Sequence, residues 1–386
     1  MTGCMKEVRP GVWRAWVDLP RGEDNKRRQK KLTLYATGVR DAQRQLAKLV
    51  ADATAGKLAP SSKETLASYL DSWIDHKEAS KLAGKTIQTW RSLARVHIVP
   101  HLGKMRLERI TVRAVRDLHT MLLTSGHQRK AGGLSPRSVL HVHRLLSEVL
   151  KNAVTEGLIP SNPCALVTPP YVEKTERQIP DEAALFRLLA ATGETWLWLR
   201  LPILLAAGAG LREGEVCGLH WSSVDLVAET INIKEQAERL TGKPLTYRTP
   251  KRNKKGVISL PAFLVDALRA HKGQQTLQRM QLEAAWQEHG LVVTQEDGRP
   301  RTPDNLSHAF AKVADYAGIP DVTFHDLRHC CATLQIAAGV PLKVVSERMR
   351  HSSITITADL YGHVMPVTDR EAARKMDGAL RRAFGG

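Results

Sequence analysis

A proline-rich stretch divides this chain. Residues 159–180, IPSNPCALVTPPYVEKTERQIP, hold five prolines, each lacking a backbone donor and fixing its own φ, so no long helix or central strand runs through them. What lies before and after must fold around separate cores, and 386 residues suffice for two or three domains that each bury one. A second break, LAPSSKET at 58–65, marks a linker and a helix cap through its Pro and Ser residues. The expected domains are therefore 1–58, 62–162 and 175–386.

Residues 8–35, VRPGVWRAWVDLPRGEDNKRRQKKLTLY, alternate apolar and polar side chains on both sides of a Gly- and Lys/Arg-rich turn, the pattern of short antiparallel strands. GVRDAQRQLAKLVADATAG then adopts a 3.6-residue period and ends near Gly56, which completes a strand-strand-strand-helix module. The basic run Lys26 to Lys31 reads either as a solvated loop or as a phosphate contact. Between the linkers, TLASYLDSWIDHKEA, GKTIQTWRSLARVHIVPHLG, TVRAVRDLHTMLLTSG and SPRSVLHVHRLLSEVLKNAVTEG are helical and separated by short Gly or Pro breaks, the layout of a four-helix domain. Beyond residue 180 come helices to about 219, then strand-like TINIKEQAERL, PLTYRTPK and GVISLP joined by basic turns, then helices again from 262. The expected fold is multidomain and mainly α with small β-sheets. It comprises an N-terminal three-stranded sheet plus helix, a four-helix domain and a mixed α+β domain.

The 57 Lys and Arg against 39 Asp and Glu leave a net charge of +18 and a pI near 9.9, which favours a polyanionic partner. The apolar stretch LWLRLPILLAAGAGL at 197–211 contains Arg200 and Pro202 and is too short to span a bilayer. The opening Met-Thr-Gly-Cys lacks the charged-then-apolar order of a secretion signal, so the expected location is the cytoplasm. Five cysteines, an odd number, read as reduced thiols and not as a disulfide framework. No Gly-x-x-x-x-Gly-Lys-Ser/Thr occurs, and no nucleotide is implied. Trp196, Trp198 and Trp221 read as core and not as base-stacking residues.

HDLRHCC, residues 325–331, taken alone is a core helix with two satisfied histidines. A zinc reading would pair His325 and His329 at i and i+4 with a cysteine. It lacks the Glu of a His-Glu-x-x-His site, and adjacent cysteines point about 100° apart on a helix. Company changes the reading. GAGLREGEVCGLHW, TPKRNKKGVISLP, HDLRH and MRHSSITITADLYGHV, taken together and in this order, resemble the tyrosine recombinase, or phage integrase, family. The first matches its Gly-Leu-Arg-x-x-Glu box, the third its His-x-x-Arg-His box, and the last its His, Ser-Ser-Ile and Tyr-x-His-Val ending, with Tyr361 ten residues after His351. HIVPHLGKMRLERIT and GLSPRSVLHVHRLLSEVLKNAVTEGLIPSNPC are similar to the family's helical core-binding domain. The N-terminal module resembles the three-stranded arm-site-binding domains of some integrases. The last 212 residues would then be the tyrosine-recombinase catalytic domain.

The resemblance implies DNA strand breakage and rejoining through a 3′-phosphotyrosyl link, for integration and excision of a mobile element. That chemistry needs fixed donors where charge develops on the non-bridging phosphate oxygens, and the planar fork of arginine suits it. Arg212 and Arg328 are the expected clamp, each supplying on the order of several kcal/mol of transition-state stabilisation. Tyr361 is the nucleophile implied by its position. Its phenol, with a pKa of about 10, needs a proton acceptor or a cationic field. His325 suits the acid–base role because it titrates near working pH. The family pattern makes His351 a hydrogen-bond donor to the phosphate and Lys251, on the turn between two strands, the proton donor to the leaving 5′-oxygen. Glu215, three residues after Arg212, falls on the same helix face, and the resemblance makes it a buried carboxylate that orients the site. His329 is supporting and structural. Arg350 stands where many members have Gly. It marks either a helix end needing little positive-φ strain or an added phosphate contact. Cys330 stands where Thr is frequent.

The partners implied are double-stranded DNA attachment sites and a homotetramer, with an excision-directing protein and a host DNA-bending protein beside them, at the nucleoid. EAARKMDGALRRAFGG at the C-terminus would dock on a neighbouring copy or within its own chain. No cofactor or metal is expected. Two rivals share the motifs: a catalytically silent DNA-binding regulator, and a type IB topoisomerase that relaxes supercoils without a partner site.

Overall fold

The computed structural model describes residues 2–19, 28–54, 63–80, 82–127, 131–173, 179–249, 256–351, 353–361 and 369–384. The chain divides into two compact units, Met1–Thr175 and Glu176–Gly386.

The first unit opens with an antiparallel sheet of β1 (Gly3–Arg9), β2 (Val12–Leu19) and β3 (Arg28–Tyr35), in that spatial order. Alternation along β2 buries Trp13, Ala15, Val17 and Leu19 on the face covered by α1 (Val39–Thr54), where Ala42, Leu46, Leu49 and Ala53 meet them. The opposite face follows from the register, which sets Lys6 beside Arg14 and Lys31 beside Trp16. The Lys31 ammonium lies 5.8 Å from the Trp16 ring centroid, a cation–π contact. The sheet therefore begins earlier than the alternation from residue 8 suggests, and Arg28 to Lys31 lie in a paired strand and not in a loop. Residues 26 and 27 of that basic run lie outside the described residues.

The helical part of this unit consists of α2 (Leu66–Ala79), α3 (Gly84–Leu93), α4 (Val99–Leu102), α5 (Val112–Ser125) and α6 (Pro136–Thr155). A π-helical turn at Ala94–Ile98 joins α3 to α4, so the expected second helix is continuous but locally widened. Starts are set by side-chain caps. The hydroxyls of Thr65, Thr111 and Ser135 accept from the N–H groups of Ser68, Ala114 and Ser138, and Pro136 occupies the first turn of α6. The cap at the end of the first linker is thus Thr65. Leu66, Leu70, Ile74, Ile98, Leu122, Leu146 and Leu150 are fully enclosed in the core these helices share.

The second unit places α7 (Glu182–Ala191), α8 (Arg200–Ala209) and α9 (Glu213–Cys217) before the strands. TINIKEQAERL is not one strand. β5 (Thr230–Ile233) pairs with β4 (Val224–Asp225) and β8 (Gly256–Ser259), whereas β6 (Gln236–Arg239) pairs with β7 (Leu245–Arg248) in a separate ribbon. The ribbon leaves the sheet because β6 lies against the backbone of α9. A Cβ on Gly214 would stand 2.8 Å from the Ala237 carbonyl oxygen, and one on Gly218 2.7 Å from its nitrogen. Helices α10 (Ala262–Leu282), α11 (Pro303–Tyr316), α12 (Phe324–Ala337), α13 (Leu342–Arg348), α14 (Ile354–Tyr361) and α15 (Asp369–Phe384) follow. The core runs from α8 through β5 and β8 to α10, α11 and the start of α12, with Phe310 and Phe324 edge to face. Trp196, Trp198 and Trp221 pack on its margin. On α15, Met376, Leu380 and Phe384 form an exposed stripe one side chain per turn. Among the described residues no helix is long and apolar enough to cross a membrane.

Candidate active site

Helix ends create the site. α8 stops at Gly210, which takes φ +65° as it caps the helix. A Cβ there would sit 2.6 Å from Met349 Cε, so both the left-handed backbone and the close approach require glycine. The chain turns through buried Leu211 and begins α9 at Arg212, its N-cap. Glu215, on the first turn of α9, accepts the Arg212 N–H at 2.9 Å on Oε2 and the Arg212 Nη1 at 2.8 Å on Oε1. A carboxylate suits this helix start electrostatically, and its side chain is fully enclosed while that of Arg212 remains one-third exposed.

Arg328 comes from α12, whose start is fixed by Thr323 and Asp326: the Thr323 N–H and hydroxyl both donate to Asp326 Oδ2, at 2.8 and 2.5 Å. The side chain is 3% exposed. Its Nη1 donates to the Gly210 carbonyl and its Nη2 to the Met349 carbonyl, so one guanidinium joins the C-terminal ends of α8 and α13. Burial pushes its pKa down to about 9; the positive charges of Arg212 and Arg350 push the same way and Glu215 opposes them.

α13 ends in a paired reversal. The Arg350 N–H donates to the Glu347 carbonyl at 2.8 Å and the His351 N–H to the Ser346 carbonyl at 3.1 Å, the Schellman pattern that glycine usually serves. Arg350 holds φ +51°, which costs about 1–2 kcal/mol for a side chain with a Cβ. The expectation of a helix end with little positive-φ strain is therefore corrected. Arg350 is also turned inward, 7% exposed, with Nη2 donating to Glu215 Oε2. Burial lowers its pKa, and Glu215 counters that shift. Two guanidiniums, those of Arg212 and Arg350, thus bond one carboxylate, and that of Arg328 feels its charge.

His351 is half-buried, and its Nδ1 lies 2.8 Å from the hydroxyl of Thr357, a fully buried residue of α14. His325 is exposed on the first turn of α12, its ring edge-on to buried His329 with centroids 5.0 Å apart. Cys330 and Cys331 are buried on the same helix, and burial pushes the Cys330 thiol up to about 12. All five cysteines are unpaired. Among the described residues no group of three His, Cys, Asp or Glu side chains is placed to hold a metal ion. The structure thus brings together Arg212, Glu215 and Arg328, with His351 following directly on the α13 end and His325 one turn before Arg328. Lys251 lies outside the described residues, between β7 and β8, and the backbone of Tyr361 ends α14 while its side chain also lies outside them.

Sequence reasoning missed Thr357, the carbonyls of Gly210 and Met349, and the inward turn of Arg350. Only Thr357 left a trace, as the last hydroxyl of the run Ser352 to Thr357.

Comparison with known proteins agrees with this layout. The model of the phage integrase family matches residues 181–366, and that of the phage integrase N-terminal SAM-like domain matches residues 65–123. A tyrosine recombinase XerC-like protein of Caldanaerobacter subterraneus subsp. tengcongensis is 31% identical over 264 residues, 64% of this chain and 67% of that one. An integrase of Streptomyces ambofaciens is 27% identical over 356 residues, covering 89% and 87%. The fold also matches a lambda integrase tetramer bound to a Holliday junction with a TM-score of 0.61 at 18% identity, over 92% of this chain and 95% of that one. With its arginine cluster built on the matched segment, the chain belongs to the phage integrase family of tyrosine recombinases.

Proposed function

We propose that this protein is a site-specific DNA strand transferase that integrates and excises a mobile element. The observation that carries the reading is the buried cluster in which Arg212 and Arg328 are fixed in place by Glu215 and by two helix-end carbonyls. Guanidiniums held this firmly need little rearrangement as charge builds on a phosphodiester, which is the condition for electrostatic transition-state stabilisation. In the reaction, the Tyr361 phenol gives up its proton and its oxygen bonds to phosphorus. The bond to the 5′-oxygen breaks, and that oxygen takes a proton from Lys251. His325 accepts and returns protons from its exposed place on α12. His351 Nδ1 and the Thr357 hydroxyl share a hydrogen bond, and in the tautomer that accepts it at Nδ1 the ring carries its proton on Nε2 and donates it to a phosphate oxygen. Glu215 orients Arg212, and His329 backs His325. One phosphoester is exchanged for another, so the energy of the broken backbone is kept in the phosphotyrosyl bond.

The net charge of +18 supports binding dominated by phosphate contacts and steeply weakened by salt. The division into a 1–58 arm-site module, a 62–162 core-binding domain and a 175–386 catalytic domain assigns the cationic sheet face of Lys6, Arg14 and Lys31 to the arm sites. The exposed stripe of α15 suits docking on a neighbouring copy in a tetramer, with an excision-directing protein and a host DNA-bending protein as further partners. The test incubates nicked suicide duplexes from DNA flanking the gene with wild type and Tyr361→Phe, resolved on a denaturing gel. A slow protein–DNA band in wild type alone is expected. The same band in both variants reassigns the nucleophile, and tight binding without any band supports the silent regulator. Relaxation of any plasmid at low protein supports the topoisomerase.

A further inference from the structure

We propose that Arg350 is a positioning residue of the strand-transfer site, locking the His351 segment onto the Arg212–Glu215 pair and adding a positive charge that a bound phosphodiester neutralises. This rests on the reading of the site as a DNA strand-transfer centre.

The position itself asks for something else. The α13 reversal puts residue 350 at φ +51°, where glycine is free of strain. A filler would be neutral, because enclosing a charge that lacks matched partners is costly and an apolar group of similar volume avoids that cost. This chain instead encloses a guanidinium to 7% exposure. Nη2 donates to Glu215, 135 residues away in sequence. Nε and Nη1 are buried and have no hydrogen-bond partner among the described residues. The side-chain stem lies against β8, its Cδ 3.7 Å from where a Cβ on Gly256 would stand. Arg350 therefore touches the α9 start and the β8 start while its own backbone leads directly into His351. A tie of this kind fixes how far His351 stands from Arg212.

The charge count points the same way. Arg212 and Arg350 bond the carboxylate of Glu215 and Arg328 feels the charge of all three, so these four side chains carry three positive charges against one, and buried like charges are tolerated when an anion completes the set. A scissile phosphodiester supplies it. The site then gains more from phosphate than a two-arginine site would.

The experiment uses the full chain and the nicked suicide duplex, measuring single-turnover cleavage over a range of protein concentrations for wild type, R350G, R350M and R350K. R350G relieves the backbone, R350M keeps the bulk without charge, and R350K keeps the charge. The expected result is a plateau rate lowered at least about tenfold in R350G and R350M, the fold-change of one charge-assisted hydrogen bond missing from the transition state. The half-saturating concentration should change less than about threefold, and R350K should recover part of the rate. In parallel, inorganic phosphate should raise the thermal midpoint of wild type more than that of R350M. The proposal is overturned if R350G or R350M, folded by its melting curve, reaches the wild-type plateau. It is equally overturned if only half-saturation moves, or if phosphate stabilises R350M as much as wild type. Should R350G not fold, R350M and R350K decide the matter by the same criteria. A wild type that never forms the Tyr361-linked product defeats the recombinase reading itself, whereas a wild type that forms it with the variants keeping pace defeats only the role of Arg350.

Discussion

Replacing Glu215 by Gln tests the arginine cluster most directly. The carboxylate is fully enclosed, with Oε2 accepting the Arg212 N–H and Arg350 Nη2 and Oε1 accepting Arg212 Nη1. An amide oxygen placed at Oε2 keeps two of these bonds. The amide nitrogen then faces the Arg212 guanidinium, donor against donor, and Arg212 and Arg350, with Arg328 beside them, lose a negative neighbour. Removing one partner of a buried ion pair costs about 3–5 kcal/mol. Because Arg212 is one-third exposed, solvent screens part of the loss and the lower end, about 3 kcal/mol, applies. For a unit the size of Glu176–Gly386, each kcal/mol moves the midpoint by about 2–4 °C. Glu215→Gln should therefore melt about 6–12 °C below wild type in the transition of that unit, followed by calorimetry on the full chain. Inorganic phosphate should recover more of the midpoint in the variant than it adds to wild type, since the variant's site carries one more uncompensated charge. A midpoint within about 2 °C of wild type, unresponsive to phosphate, would refute the assignment of Glu215 as buried counter-ion.

Further outcomes follow from individual contacts. Thr357→Val keeps the shape of the side chain but removes the hydroxyl from His351 Nδ1. Cleavage of the suicide duplex should slow about tenfold, as for one orienting hydrogen bond, and Thr357→Ser should restore most of it; equal rates for Val and wild type would remove Thr357 from the site. Gly210→Ala forces a Cβ to 2.6 Å from Met349 Cε at φ +65° and should lower both the melting midpoint and cleavage, because the Gly210 carbonyl anchors Arg328. In the helical domain, burial lowers the pKa of His119, His143 and His97, with His143 adding to the shift on His119. Their folded pKa values lie below the unfolded one, so the unfolded chain binds more protons through this window and stability falls as pH drops below about 6.5. His119→Gln should reduce that acid-side loss in a pH series of melting curves, leaving the shares of His143 and His97. Deleting residues 1–58 should retain core-site cleavage and abolish recombination; unchanged integration would refute the arm-site role.

The legible parts of the fold were those encoded at short range. The four helical segments of residues 65–157 carry their apolar period locally, three of them with a Thr or Ser cap within one turn and one starting at Ala83 without a side-chain cap, and Glu215 lies three residues from Arg212, so helix geometry alone places it. TINIKEQAERL misled because Ile231, Ile233 and Ala237 keep one two-residue register, broken only at Glu235, across the point where β6 leaves β5. The reason, Gly214 and Gly218 opening α9 to the backbone of Ala237, sits some twenty residues upstream. Arg350 was visible as a departure from glycine. Its destination was not, since neither the Schellman reversal nor the distant carboxylate is written near it.

The arrangement binds fold and chemistry to the same atoms. Arg328 joins Gly210 to Met349, and the residues immediately after those two carbonyls are Arg212, two positions on, and Arg350 with His351. Whatever fixes the two helix ends therefore fixes the groups set to meet the phosphate. It follows that an Arg328 variant reports two losses at once, the missing cation and the displaced neighbours, and its rate cannot be assigned to either. Variants at Glu215 and Arg350 separate them: they leave the staple between α8 and α13 in place and change only the charge and the tie around it. If the site works by electrostatic preorganisation, those variants should slow cleavage while Arg328 still holds both carbonyls. If cleavage depends only on where the helix ends lie, they should not.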